Sequence, residues 1–326
     1  MAIEDTLQYQ SFDGEQAPPP SLNRLRKHIQ VLGRGIGIVS HAEKLSLKNE
    51  AVTNNRFSWV DEATFAPKPD ATPTTPSLPP HRDALGPTPS IDSVREIWAA
   101  AFDAELVGHE ESHWNLTVQG PILLSALKHL TNLGVSCCTS AGIHSAYTRK
   151  DNSAQYNRKI DICVHVNEKS PQLDRVILAS RTGSINHTSY AGLLRRPIGF
   201  SIETKITGHD WSTAVYQIAS WLLAQWDALD DLVELSVGQR IPPGSSPAAA
   251  SGLEFLPGVI VQGHEWWFVA VSRTSSNKNV FWTKVYIGST TSTQGVYGIT
   301  AVIQLLGHWI QSEYWPWFKS AILNQA

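Results

Sequence analysis

The sequence predicts an α/β or α+β protein in which helices pack against a central sheet. From residue 90 onward the apolar patterns run helix, strands, helix, strands and helix, an order typical of such layered folds. The chain has 326 residues and is 42% hydrophobic. It can therefore bury the core of one large domain or of two small ones.

The N-terminal part of the chain predicts little regular structure. Residues 1 to about 20 are acidic and polar and predict a disordered arm, and LNRLRKHIQVLG predicts a short basic helix. The segment FAPKPDATPTTPSLPPHRDALGPTPS is rich in Pro, Thr and Ser and predicts a linker or a surface-lying extended segment. We therefore separate an arm and linker, residues 1–89, partly disordered or packed on the core, from a main domain, residues 90–326.

Helices are expected at the start, middle and end of the main domain. Ser90 and Asp92 can cap SIDSVREIWAAAFDAEL, and PILLSALKHLTNLG predicts a second helix that ends at Gly134. The amphipathic helix STAVYQIASWLLAQWDAL carries Gln217 and Trp221 one turn apart, and TAVIQLLGHWIQSEYWPWF predicts a terminal helix.

The segments KIDICVHV, PIGFSIETKIT, GVIVQGHEWWFVAVS and NVFWTKVYIG predict strands. KIDICVHV alternates apolar residues with Asp161, Cys163 and His165. In PIGFSIETKIT, Glu203 and Lys205 are two residues apart and therefore project from the same face. Because this strand is strongly apolar, its charged side chains need partners.

Charge and composition limit the function classes. A net charge of −3 argues against a protein that coats nucleic acid indiscriminately, although a local basic groove would not change this total much. The N-terminus has no signal-peptide pattern, and no apolar run reaches membrane-spanning length. We expect an intracellular protein, cytoplasmic or nuclear, that is neither secreted nor membrane-bound.

The stretch HEESH contains the zinc-protease signature HExxH. On a helix, His109 and His113 would share a face and bind zinc, with Glu110 activating a water. A catalytic zinc also needs a third protein ligand. The extended motif places glycine and histidine where this chain has Leu116 and Gln119, so we reject the zinc-protease hypothesis.

Carboxylates on two predicted strands form a better constellation. If the strands are neighbours, Asp161 and Glu203 meet across the sheet and can hold Mg²⁺, which takes one or two carboxylates and fills its octahedron with water. Lys205 would orient or deprotonate the attacking water, or offset charge in the transition state. A chance Glu-x-Lys triplet with solvated charges is the alternative, and spacing alone leaves both open.

Several stretches in combination are distinctive: GHEESHWN, KIDICVHV, INHTSY, RRPIGFSIETK, LPGVIVQGHEWWFVAV, IGSTTSTQGVYGI and YWPWF. With them the chain resembles the PD-(D/E)XK nuclease fold, and more specifically a fungal family of PD-(D/E)XK nuclease-like proteins. The resemblance implies a restriction-endonuclease-like core, a central mixed sheet flanked by helices, with an N-terminal extension. It implies that Asp161 and Glu203 bind Mg²⁺ or Mn²⁺ and that Lys205 is catalytic.

The resemblance also extends to residues outside the two strands. Gln217 with Trp221 is similar to a Gln-x-x-x-Tyr helix of some members, with Trp in place of Tyr. Glu111 would be the acidic residue of the first core helix that points at the metal. Two features depart from the family pattern: Ile160 stands where Pro is usual, and a long insertion separates the two strands and can cover or reshape the cleft.

Other polar residues are candidates for contacts with substrate. His187 would be a general acid or a phosphate contact, although a lone His in a loop is more often structural. Tyr190 and Trp221 are candidates for substrate binding.

Arg195 and Arg196, with Arg158 and Lys159, are candidates for a phosphate-facing patch, because each pair precedes a predicted site strand and would lie near one edge of the sheet. Solvated strand ends are the alternative. Most of the twelve tryptophans lie in apolar runs, which favours core packing over base stacking.

Three functions remain open. The first, which we prefer, is a Mg²⁺-dependent phosphodiesterase acting on DNA or RNA through Asp161, Glu203 and Lys205, with Gln217 and His187 assisting. The second is a nuclease fold repurposed for acid–base isomerisation or cyclisation of a small metabolite, as in secondary metabolism, with no metal required. The third is a non-catalytic binder of nucleic acid or protein, which the intact acidic and basic residues argue against.

Overall fold

The computed structural model describes residues 7–68, 80–148, 159–208, 211–238, 242 and 244–324. Its strands are β1 (Leu7–Ser11), β2 (Leu133–Cys137), β3 (Ile162–Val166), β4 (Ile198–Lys205), β5 (Phe255–Gln262), β6 (Glu265–Arg273) and β7 (Asn279–Ser289). They form one sheet in the order β1-β7-β6-β5-β4-β3-β2. The pairs β1–β7 and β4–β5 are parallel and the other neighbours are antiparallel.

Helices flank this sheet. They are α1 (Pro20–Gly33), α2 (Lys44–Thr53), α3 (Arg82–Leu85), α4 (Ile91–Val107), α5 (Glu111–Trp114), α6 (Gly120–Leu127), α7 (Pro171–Ala179), α8 (Trp211–Val237), α9 (Pro247–Ala250), α10 (Thr293–Trp309) and α11 (Trp315–Phe318). The predicted mixed sheet flanked by helices is therefore confirmed. Among the described residues, no helix has the length and apolarity needed to cross a membrane.

The two faces of the sheet hold different helices. Ser201 of β4 pairs with Gly258 of β5, and α8 packs over both, since the Trp221 indole N–H donates to Ser201 Oγ at 3.0 Å. Gly258 leaves room for Ile218 of the same helix, because an added Cβ would lie 2.7 Å from the isoleucine Cδ1. On the opposite face, α10 packs against β7, α6 and α1.

The N-terminal segment is part of the same core. Residues 7–11 form β1, so the expected disordered arm is wrong for this stretch. The buried face of α1, which includes Leu22 and Ile29, packs against β7 and α10. Ser21 also donates from its amide and its hydroxyl to Glu254 at 2.8 and 2.6 Å. Part of the predicted linker, residues 69–79, lies outside the described residues, and the domain boundary at residue 90 stays a prediction.

One predicted helix ends earlier than expected. The predicted helix was expected to run to Gly134. It corresponds to α6, which ends at Leu127, and residues 133–137 form β2 instead. Gly134 lies opposite His165 on β3, where a Cβ would come within 2.4 Å of the imidazole. The glycine therefore permits a close approach between two strands, and its resemblance to a helix terminus was misleading.

Candidate active site

The ends of β3 and β4 place two carboxylates side by side. Ile162 pairs with Ile202 in antiparallel register, so Asp161 and Glu203, the next residues along, lie opposite each other. Both are buried, with 8% and 1% of their surface exposed. Asp161 Oδ2 accepts hydrogen bonds from the Thr204 amide at 2.8 Å and hydroxyl at 3.0 Å, which fixes the carboxylate at the end of β4.

Lys205 joins this pair from the same strand. Its ammonium forms an ion pair with Glu203 Oε1, donates to the Thr204 carbonyl at 2.8 Å and lies 3.8 Å from Glu111 Oε2. The other oxygen of Glu203, Oε2, is buried and has no hydrogen-bond partner among the described residues. The cluster thus contains three carboxylates for one ammonium.

The excess of negative charge shows in the pKa values. Burial, followed by the Asp161 charge, raises the pKa of Glu203 well above its ordinary value. The same two causes raise the pKa of Glu111. Burial alone would lower the pKa of Lys205, but the neighbouring carboxylates outweigh it and raise that pKa. The ammonium is therefore held in its charged form, and the carboxylates repel one another.

A corner between α4 and α5 brings Glu111 to the site. Helix α4 ends at Val107 and is followed by Gly108, which has the left-handed φ of 75°, and Glu111 begins α5. Trp114 of α5 is buried and meets the edge of the His264 ring, with centroids 5.0 Å apart. The His264 Nε2 lies 2.9 Å from Glu105 Oε2 of α4. This contact fastens the corner to the β5–β6 turn.

The same turn is tied to β4. The amide of Gly263 donates to the Lys205 carbonyl at 2.7 Å. His264 Nδ1 lies 2.7 Å from Thr290 Oγ1. Nothing in the sequence links Glu105 to His264, which are 159 residues apart, so sequence reasoning missed this support.

The HEESH stretch is not a helical metal motif. His109 and Glu110 precede α5, and the rings of His109 and His113 stack with centroids 3.7 Å apart. In the described parts of the chain, no three His, Cys, Asp or Glu side chains are placed to hold a metal ion together. Glu111 is the acid of this stretch that reaches Lys205.

His187 and Trp221 lie in the core beneath the site. Trp221 has no exposed surface, and the His187 ring packs against it with centroids 4.2 Å apart. Both ring nitrogens of His187 are buried without a hydrogen-bond partner among the described residues, and burial lowers its pKa to about 3. A neutral, inaccessible imidazole and a buried indole do not meet a substrate, so we do not retain these two roles. Gln217, one turn before Trp221, is also buried.

The arginine pair lies at the opposite end of β4. Because β3 and β4 are antiparallel, the residues that precede β4 lie near the end of β3, more than about 20 Å along the strand from Lys205. Arg195 forms an ion pair with Asp174 of α7, and the Arg196 carbonyl accepts a hydrogen bond from Asn186.

Antiparallel strands begin at opposite edges of the sheet, so Lys159, which precedes β3, and the arginines that precede β4 do not lie together. Arg158 lies outside the described residues. The expectation that Arg195 and Arg196 form a phosphate-facing patch is therefore not met.

Tyr190 is half-buried in the loop that follows His187. Its side chain packs against the hydrophobic core, and its amide donates to Thr188 Oγ1 at 3.2 Å. No contact in the described residues joins its side chain to the carboxylate cluster, so its role in substrate binding stays a prediction.

The cluster fits a hard divalent cation with two carboxylates. Mg²⁺ binds carboxylate oxygens and completes its coordination with water, so three protein ligands are not required. Asp161 and Glu203 supply such oxygens side by side, and the buried Oε2 of Glu203 is available for a ligand. Glu111 is a further carboxylate close by.

Comparison with known families agrees with this geometry. A family model described as the PD-(D/E)XK nuclease superfamily matches residues 59–315. The chain belongs to this superfamily, whose nucleases typically use divalent metals. The restriction-endonuclease-like assignment made from the motifs is confirmed, whereas the narrower fungal family stays a prediction. No curated protein and no solved structure matches the chain.

Proposed function

We propose that this chain is a divalent-metal-dependent phosphodiesterase that cleaves DNA or RNA. The observation that carries the proposal is the carboxylate cluster at the end of β4. Lys205 forms ion pairs with Glu203 and Glu111, and Asp161 lies opposite Glu203. Within the described part of the chain, one buried oxygen of Glu203 has no hydrogen-bond partner. An unpartnered buried carboxylate oxygen is costly, and perturbed carboxylates of this kind concentrate at functional sites.

Asp161 and Glu203 would hold the cation, with Glu111 nearby. When bound there, Mg²⁺ or Mn²⁺ supplies a Lewis acid that polarises a phosphoryl oxygen and lowers the pKa of a water ligand. The bonds from Thr204 hold the Asp161 carboxylate in place. Burial of Glu203 limits competition from bulk water for its oxygens.

Lys205 would act through its charge. Its raised pKa keeps the proton on the ammonium, which favours stabilisation of the phosphate charge over proton abstraction. In the reaction, a water oxygen forms a bond to phosphorus and the bond to the leaving sugar oxygen breaks. The leaving oxygen takes up a proton, and the water proton passes to solvent.

The metabolite-enzyme alternative predicts a closed apolar pocket around Glu203. A cavity of about 480 Å³ lies between α1 and α10, and its lining residues include Arg24, Lys27 and His308. None of its lining residues belongs to the carboxylate cluster, so this cavity does not favour the alternative. The match to the PD-(D/E)XK nuclease superfamily, together with the adjacent Asp161 and Glu203, supports phosphodiester cleavage better.

The test is cleavage of labelled single- and double-stranded DNA and of RNA in Mg²⁺, Mn²⁺ or EDTA. We expect metal-dependent cleavage by the wild type and none by Glu203→Gln. Glu254→Gln, which alters a carboxylate that binds Ser21 far from the site, should cleave normally. Failure of the folded wild type to cut any substrate in either metal would contradict the proposal.

A further inference from the structure

A row of side chains leads from the carboxylate cluster across the sheet. Glu203 pairs with Ile260, Ile260 pairs with Trp267, and Trp267 pairs with Tyr286. Directly paired residues point to the same face of a sheet. Trp267 therefore lies on the face of Glu203, two strands away, at roughly 10 Å.

The aromatic residues in this region differ from those of the core. Trp211 and Trp267 are half-buried, and Tyr286 is 38% exposed, whereas Trp221 and Trp266 are fully buried. The two half-buried indoles are perpendicular, with centroids 6.2 Å apart. Tyr286 adjoins Trp267 with centroids 5.2 Å apart. Core packing, the role expected for most tryptophans, does not account for these exposed rings.

An exposed lysine is held by both indoles. Lys284 Nζ lies 4.4 Å from the Trp211 ring centroid and 4.0 Å from that of Trp267, so each ring attracts the ammonium. Among the described residues Lys284 forms no ion pair, unlike Arg195. Its charge is thus fixed in position and available to an anion.

The patch adjoins the catalytic strand along the chain as well as across the sheet. Trp211 begins α8, six residues after Lys205. β7 lies three strand spacings from β4, roughly 14 Å, so a strand of nucleic acid whose scissile phosphate lies at Lys205 would reach Lys284 with a phosphate a few nucleotides away. We name Trp211, Trp267, Lys284 and Tyr286 the aromatic patch.

We propose that the aromatic patch binds an unpaired strand of nucleic acid beside the scissile phosphate, with Lys284 on a backbone phosphate and the rings against bases. The inference rests on the proposed function and specifies its substrate as single-stranded. Aromatic side chains stack on bases only where the base faces are accessible, and such stacking tolerates any sequence. A duplex covers those faces.

One neighbouring charge opposes the interaction. Burial and then the Glu265 carboxylate raise the pKa of Tyr286, which places that negative charge beside the patch. Removing it with Glu265→Gln should tighten binding. The opposite charge change, Lys284→Gln, should weaken it.

The experiment measures binding in EDTA to three labelled oligonucleotides: a single strand, its duplex, and a strand of the same length without bases. Lys284→Gln should weaken binding to both single strands and reduce the salt dependence of log K by about 0.7 per lost phosphate contact. Trp267→Leu should weaken binding to the normal strand roughly tenfold and weaken binding to the strand without bases much less, since there only the placement of Lys284 is disturbed. Trp267→Phe should restore much of the loss.

Lys278→Gln provides the matched control. Lys278 is an exposed lysine in the β6–β7 turn, at the end of the sheet remote from Lys205, and its removal should change little. Tyr286→Ala provides a second test at an exposed position, should Trp267→Leu fail to fold. The proposal would be overturned if Lys278→Gln and Lys284→Gln reduced the affinity for single strands equally. It would also be overturned if the wild type bound duplex and single strand with equal affinity.

The outcomes also separate this inference from the proposed function. Metal-dependent cleavage whose KM does not respond to Lys284→Gln or Trp267→Leu would overturn the aromatic patch and leave the nuclease standing. Patch-dependent binding of single strands without cleavage in Mg²⁺ or Mn²⁺ would support the patch and overturn the nuclease.

Discussion

Two charge clusters in this molecule differ in how completely their carboxylates are partnered. At Arg273, a single guanidinium that is 1% exposed binds Asp227 and Asp230 at 2.8 and 2.7 Å, and its Nε donates to Asn279 at 2.7 Å. Asp230 receives a further hydrogen bond from Ser246 at 2.6 Å. Each charged group is surrounded by partners, and the cluster joins α8 to β6.

The cluster at Lys205 is built differently. One ammonium faces three carboxylates. As far as the structure describes the chain, one buried oxygen of Glu203 has no hydrogen-bond partner, and burial and the Asp161 charge raise the pKa of Glu203. A satisfied cluster stabilises the fold, since each desolvated charge is compensated. The Lys205 cluster leaves a buried carboxylate oxygen whose charge a proton or a metal cation can compensate. We infer from this difference that the Arg273 cluster is structural and the Lys205 cluster functional.

Removing the ammonium of the Lys205 cluster should have the largest effect. Lys205→Met is expected to lower kcat by about 10²–10³-fold, the cost of losing one preorganised charge at a developing phosphate charge. Cleavage rates at saturating substrate, with circular dichroism to verify folding, measure this. A variant that stays folded and keeps wild-type kcat would remove Lys205 from the mechanism.

Removing the cation of the Arg273 cluster should affect stability and not chemistry. Arg273→Met leaves two partly buried carboxylates without their cation, so we expect the free energy of unfolding to fall by roughly 3 kcal/mol, the lower end for a buried pair. Urea unfolding measures the change, and cleavage per folded molecule should match the wild type. Adding Asp227→Asn and Asp230→Asn should recover part of the loss, and no recovery would contradict the charge argument.

Acid should destabilise the protein partly through His187. Because burial lowers its folded pKa from 6.5 to about 3, the folded state keeps His187 neutral while the unfolded chain binds a proton. Its contribution to stability is present above pH 6.5 and is lost as the pH falls toward 3. His187→Phe should lose less stability than the wild type over this window in urea unfolding, and identical pH profiles would show that His187 does not contribute.

Glu203 should produce a pH dependence of stability of the opposite sign. Its folded pKa is raised, so the folded state binds the extra proton, and stability falls as pH rises from the ordinary Glu pKa toward the raised value. Glu203→Gln should remove this dependence of stability on pH. The same proton competes with Mg²⁺, so Mg²⁺ affinity should rise with pH. A wild-type Mg²⁺ affinity independent of pH would contradict the shift.

The sequence predicted the two strands that carry the carboxylate cluster more reliably than it predicted the residues around that cluster. The alternation around Asp161 and the spacing of Glu203 and Lys205 are local patterns, and the structure places the two strands side by side. The arginine pair was misplaced because strand direction is a tertiary property. Sequence distance likewise concealed the contact of Glu105 with His264.

The tryptophans show the same limit. Trp266 and Trp267 are adjacent in one apolar run, yet one is fully buried and the other half-exposed beside Lys284. Alternation predicts that they point to opposite faces. Which face a helix covers depends on how α8 and α10 pack, and no local pattern specifies that.

The most direct test of the account is calorimetric titration of Mg²⁺ or Mn²⁺ into the purified protein. The account predicts one saturable site in the wild type and in Glu254→Gln, and its loss in Glu203→Gln. A folded wild type that binds neither ion, or a Glu203→Gln variant that binds as tightly as the wild type, would contradict the claim that the carboxylate cluster is a metal site.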